Sequence, residues 1–133
     1  MLQRFDYDAS AYLTLATTAD GIAIARAYGV VSISMLVMMR ADIIEDTEGR
    51  CVISDLSSCV ITSAAAEIDD IYEMAASGCS RDRSCAWVVP VEGGGAWRHL
   101  AAKMANLGHP RRVFTSMSDA LAWVREEAAL THW

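Results

Sequence analysis

The sequence predicts one α/β domain over residues 1–133, with its core at about 11–127. The expected architecture is a mixed, mostly parallel sheet of about five strands with four helices, in the order β-β-α-β-α-β-α-β-α. Three observations predict it. Asp20–Gly21, a strong hairpin-turn dipeptide, separates two short runs of apolar and small residues. After residue 31, apolar runs alternate strictly with segments of helical periodicity, the pattern of strands joined by right-handed crossovers. The fullest example starts at Cys51: an apolar run at 51–56, a small polar turn at 57–63, then a helix with Ala64, Ile68, Ile71 and Ala75 on one face.

Taken in order, residues 11–17 alternate loosely, Tyr12 and Thr14 against Leu13 and Leu15, and read as the first strand. Residues 22–31 return as the second. Ile22, Ile24, Arg26 and Tyr28 fall on one side of it, and Ala23, Ala25 and Ala27 on the other, where small side chains leave room for a helix. Ser32 or Ser34 caps that helix, which runs to about Asp46. Residues 35–39 are apolar nearly all round, whereas 42–48 are acidic. An apolar turn of that kind is either buried on both sides or part of a contact with a second copy. Gly49 offers a left-handed stop.

The third strand, 51–56, is expected to carry Asp55 to an exposed rim. The second helix, 63–76, shows Glu67, Asp69, Asp70 and Glu73 outward, either a solvated face or a docking surface for a basic partner. Residues 85–91 form the fourth strand, with Pro90 at its end because proline lacks an amide donor. Gly93–Gly95 leads into a third helix whose stripe is Trp97, Leu100, Ala101, Met104 and Leu107, closed by Gly108. A fifth strand spans 111–115. Ser116 and Asp119 then form a capping-box pattern for the last helix, where Ala120, Trp123, Val124 and Ala128 share a face. The tail from residue 130 is expected to be loosely held.

Composition narrows the function. A hydrophobic content of 53% supports a globular core in 133 residues. A net charge of −6 argues against nonspecific binding to nucleic acid or anionic membrane, which attract cations. The opening residues are polar, without the apolar segment of a signal peptide, and the longest apolar run, around 33–39, is too short to span a bilayer. A cytoplasmic location is therefore expected. Cys51 and Cys85 open strands and read as small buried apolar residues. A Cys79–Cys85 disulfide is geometrically possible, but reduced thiols fit a chain without signs of export. There is no CxxC, and His99, His109 and His132 are scattered, so neither a metal site nor a cofactor is expected.

Three stretches resemble the STAS domain superfamily, more closely its SpoIIAA-like branch. They are Val–Ile–Ser–Asp–Leu–Ser at 52–57, Ala–Trp–Val–Val–Pro–Val at 86–91, and the ending at 112–124, where a Val–Phe strand leads into Ala–Leu–Ala–Trp–Val. The resemblance covers roughly residues 11–127. It implies a non-enzymatic regulatory or protein-interaction module, like the anti-sigma-factor antagonists that bind a partner kinase. Those proteins are switched by phosphorylation of a serine within Asp–Ser–Ser–Gly at the start of a helix. Here the matching segment reads Thr62–Ser–Ala–Ala–Ala66, so the aspartate and glycine are missing and Ser63, or Thr62 after a one-residue shift, is the candidate phosphoacceptor. The branch also resembles lipid-carrying CRAL-TRIO domains, which implies a small apolar ligand as the alternative.

The candidate working surface is thus Asp55, Ser57, Ser58, Thr62, Ser63 and Glu67. A phosphate on Ser63 would face unpaired helix-terminal amides, opposed by Asp55, Glu67 and Asp70. The simpler role is a helix cap worth about 1 kcal/mol. Asp55 has no second carboxylate at a recognisable spacing, so its simplest role is to bind loop amides. Glu92–Gly95 lacks the Lys–Ser/Thr of a phosphate loop and reads as a turn. His99, Lys103, His109, Arg111 and Arg112 form the one basic cluster, expected on a solvated face or docked on an acidic partner. The expected partners are a protein or a second copy of the chain, with neither nucleic acid nor membrane insertion.

Overall fold

In the computed structural model, the structure describes residues 2–47, 50–61, 84–90 and 111–131, together with Arg98, Ala102 and Asn106. The described elements are β1 (Gln3–Asp6), β2 (Tyr12–Thr17), β3 (Ala23–Val31), α1 (Ile33–Asp46), β4 (Val52–Asp55), β5 (Cys59–Ile61), β6 (Cys85–Val88), β7 (Arg111–Phe114) and α2 (Met117–Thr131). They build a seven-stranded mixed sheet in the order β1-β2-β3-β4-β6-β7, with β5 also paired to β3. The first three strands are antiparallel; β3, β4, β6 and β7 run parallel. The predicted helix at 63–76, the glycine run at 93–95, Gly49 and Cys79 lie outside the described residues; of the predicted helix at 97–107 only Arg98, Ala102 and Asn106 are described, and all three are helical and exposed.

Two strands exceed the expected five. β1 falls in the polar opening segment, and of its four residues only Phe5 packs toward the core, so it gives no alternating signal. It is an edge strand, and polar outward residues suit an edge. β5 falls inside the stretch expected to be a turn at 57–63. The long β3 explains it: β4 pairs only with Ala23 to Arg26, which leaves Gly29 to Val31 for a further partner.

A helix packs on each face of the sheet. On one, Leu13, Leu15, Ala23, Ala25, Ala27, Val31 and Val52 bury against α1 through Met39, with Met35, Leu36 and Ile43 beside it. The three alanines of β3 let the helix sit close, as their small size predicts. On the other face Ile22, Ile53, Ala86 and Val88 pack against Ala120 and Val124 of α2. Val52 and Ile53 thus enter opposite layers, which is why β4 reads as continuously apolar rather than alternating.

The all-round burial weighed for 35–39 does not occur. Met39 is buried, whereas Val37 and Met38 are exposed, because a helix laid on one sheet face buries only one stripe. Ser32 is the cap: its hydroxyl accepts from the Met35 amide at 3.3 Å. Ser116 caps α2 more loosely, accepting from Asp119 at 3.5 Å. That helix continues through Thr131, so the first two residues of the tail expected to loosen from residue 130 are helical. Cys51 is half-buried just before β4 rather than buried within it.

Two local devices hold the sheet's ends. The Asp8 carboxylate accepts from the Ser10 and Ala11 amides at 2.8 and 2.6 Å, turning the chain from β1 into β2. That turn sets the Ser10 carbonyl against Gly29, where a Cβ would collide with the oxygen. Gly29 also has φ +89°, so only glycine fits there without strain. Nearby, the Tyr7 hydroxyl donates to Asp42 at 2.6 Å and ties this turn to α1. Burial, then the Asp42 carboxylate, push the phenol well above its ordinary pKa.

Candidate functional site

The register along β3 places a bulge beside the predicted site. Arg26 pairs with Asp55, but Gly29 pairs with Cys59. Leu56, Ser57 and Ser58 therefore lie opposite only Ala27 and Tyr28. One extra residue in a strand bends it and re-aims its side chains. Here β4 and β5 are two halves of one strand, interrupted where Leu56 turns into the core and Ser57 and Ser58 turn out to solvent.

Asp55 organises the bulge. Its Oδ1 accepts from the Ser57 amide at 3.0 Å and from the Ser57 hydroxyl at 2.6 Å, an Asx turn. Its Oδ2 lies 3.4 Å from Nε of Arg26 on the neighbouring strand. The backbone on either side is fixed as well: the Leu56 amide donates to Val88 at 2.8 Å, and the Cys59 amide to Leu56 at 3.5 Å. Asp55 is only 7% exposed, which corrects the expectation of an aspartate on an open rim. The strand does carry it to the rim, but the bulge folds over the carboxylate. Its acceptor sites face its own loop and Arg26 rather than solvent.

Of the predicted site residues, Asp55, Ser57 and Ser58 come together in this way; Thr62, Ser63 and Glu67 lie outside the described residues. Cys59 is buried beside them, its thiol donating to the Leu56 carbonyl at 3.4 Å. Burial first, and Asp55 second, raise its pKa to about 11. The thiolate needed for nucleophilic chemistry is therefore scarce at neutral pH.

Sequence reasoning missed the neighbours that β3 and β2 supply. Arg26, Tyr28 and Val30 alternate with the buried Ala27 and Val31 and so share the outward face. Tyr28 stacks on Tyr12 with ring centroids 4.6 Å apart, and Arg4 lies 3.9 Å over the Tyr12 ring. The available signal was Arg26 itself, a lone charge in a strand of small and apolar residues. The basic cluster is also revised: Arg111 is buried at the start of β7, while Arg112 is exposed, its guanidinium 5.2 Å from the Phe114 ring centre. Among the described residues no three metal-ligating side chains gather, and no helix is long and apolar enough to cross a membrane.

An antiparallel entry, a run of parallel strands and a closing helix on the opposite face from α1 define an α/β architecture of the SpoIIAA-like kind. The chain matches the crystal structure of an uncharacterized protein of the DUF3478 family with a SpoIIAA-like fold, from Shewanella loihica PV-4. The match covers 90% of this chain and 98% of that one, with a TM-score of 0.53 and 17% identity. A likeness at that identity shows the fold. No protein-family model and no curated protein sequence matches the chain.

Proposed function

We propose that the chain is a non-enzymatic, STAS-like regulatory or protein-interaction module. Its working surface is the bulged rim of Asp55, Ser57 and Ser58, continuing in sequence to Thr62, Ser63 and Glu67, and its partner is a protein. One observation carries the reading. The carboxylate that an enzyme would use as base or ligand is buried and held by Ser57 and Arg26, so it shapes the loop. What it shapes is a fixed display of two exposed serines beside a raised-pKa, buried thiol. Ser63 is the proposed phosphoacceptor.

The test is site-specific photo-crosslinking of the full chain in its host cells. A probe at position 58 is expected to capture one protein, lost on Ser57→Ala. A probe at Ala122, exposed on α2, is expected not to capture it. Capture at both positions, or none at 58 with an apolar molecule retained in native mass spectra, would contradict the proposal.

A further inference from the structure

The outward face of β1, β2, β3 and β5 carries an aliphatic and aromatic centre that the rim does not use. Val30 and Val60 are register partners across the parallel β3–β5 pair, yet they are 51% and 64% exposed. Parallel pairs are ordinarily covered on both faces, so two large aliphatic side chains facing solvent from one break that rule. The stacked Tyr12–Tyr28 pair lies next to Val30 on the same face. Around this apolar centre lie Arg4 paired with Asp6 at 2.9 Å and Arg26 paired with Asp55 at 3.4 Å. An aliphatic and aromatic centre with arginine at its margin is the usual composition of a protein interface.

We infer that this face is where two copies of the chain meet, related by a two-fold axis. The charges select that occupant. A two-fold contact sets a patch against itself, so a charged patch must carry both signs in balance. Each of its two arginines is neutralised by a carboxylate, Asp6 in solvent and Asp55 beneath the bulge, whereas the whole chain carries −6 and two copies repel elsewhere. Among the described residues, Val37 and Met38 on α1 also expose aliphatic side chains, but that face lacks the balance: the exposed residues of the helix include Glu45 and Asp46 but no cation. The inference stands apart from the proposed partner at Ser57 and Ser58.

Sedimentation equilibrium of the full chain tests it. The wild type is expected to show a monomer–dimer equilibrium. Val60→Glu is expected to weaken the dimer by about tenfold or more, since the contact would bury an unpaired charge, while the melting temperature at dilutions where both proteins are monomeric stays unchanged. Val37→Glu is expected to dimerise as the wild type does. If Val60→Glu fails to fold, Val60→Thr keeps the branched shape and is expected to weaken the dimer by a smaller factor. A wild type that stays monomeric, dimerisation that survives either Val60 variant unchanged, or dissociation by Val37→Glu would overturn the inference.

Discussion

The hairpin turn at Asp20 and the bulge at Asp55 are built from the same parts. Each centres on an aspartate that accepts from a hydroxyl two residues away at 2.6 Å, Thr18 in one and Ser57 in the other. Each carboxylate also faces an arginine from another element, Arg125 of α2 at 2.8 Å and Arg26 of β3 at 3.4 Å. Each region has a glycine at positive φ, Gly21 and Gly29. The difference is burial. Asp20 stands half-exposed, and Asp55 is covered by its own loop. The shorter, better-aligned ion pair is therefore the less consequential one, because water screens it and replaces it readily. The looser pair lies where a lost acceptor has nothing to substitute for it.

Substitution at the two glycines should separate the regions most. Gly29→Ala places a methyl carbon against the Ser10 carbonyl, so backbone must move and the β3–β5 register with it. A loss of about 3 kcal/mol or more is expected from denaturant unfolding. Gly21→Ala meets nothing within 4 Å and costs only the left-handed backbone, about 1 kcal/mol. Equal losses would contradict the close approach of Ser10 to Gly29.

The carboxylates come next. Asp55→Ala removes both acceptor contacts to Ser57 and leaves that amide without its partner, for about 2 kcal/mol. Asp20→Ala is expected to leave the melting temperature within error, because its pair lies in solvent. The smallest effect is a titration. The bond from Arg125, then the Thr18 hydroxyl, hold the Asp20 carboxyl at about 2. A pKa depressed in the folded state contributes stability above the ordinary carboxylate pKa and loses it as pH falls through the folded value. Any contribution is thus present above about pH 4 and gone below about pH 2. In carboxyl carbon NMR, Arg125→Ala should return Asp20 toward its ordinary value; an unmoved midpoint would show that the pair does not persist in solution.

The same contrast explains what was legible in the sequence. The hairpin could be read because everything that makes it lies within a few residues: Asp20–Gly21 and the flanking alternation. The alanines of β3, the Ser32 and Ser116 caps and the stripe of α2 were legible for the same reason. Asp55, Ser57 and Ser58 could be nominated from their place at a strand's end. Their environment could not, because it depends on a one-residue shift between β3 and its two parallel partners. The first register brings Arg26 to the carboxylate and the shifted one brings Val30 beside Val60, pairings across 29 and 30 residues of chain that no local pattern encodes. β1 escaped notice because an edge strand needs only one inward side chain, Phe5.

Amide hydrogen exchange at Ser57 reads most directly whether the Asp55 side chain is what holds the bulge. The wild type should show a slowed Ser57 amide. Asp55→Ala should release it while the amides paired between β2 and β3 keep their protection. A Ser57 amide that exchanges freely in the wild type, or one equally slow without the carboxylate, would contradict the account.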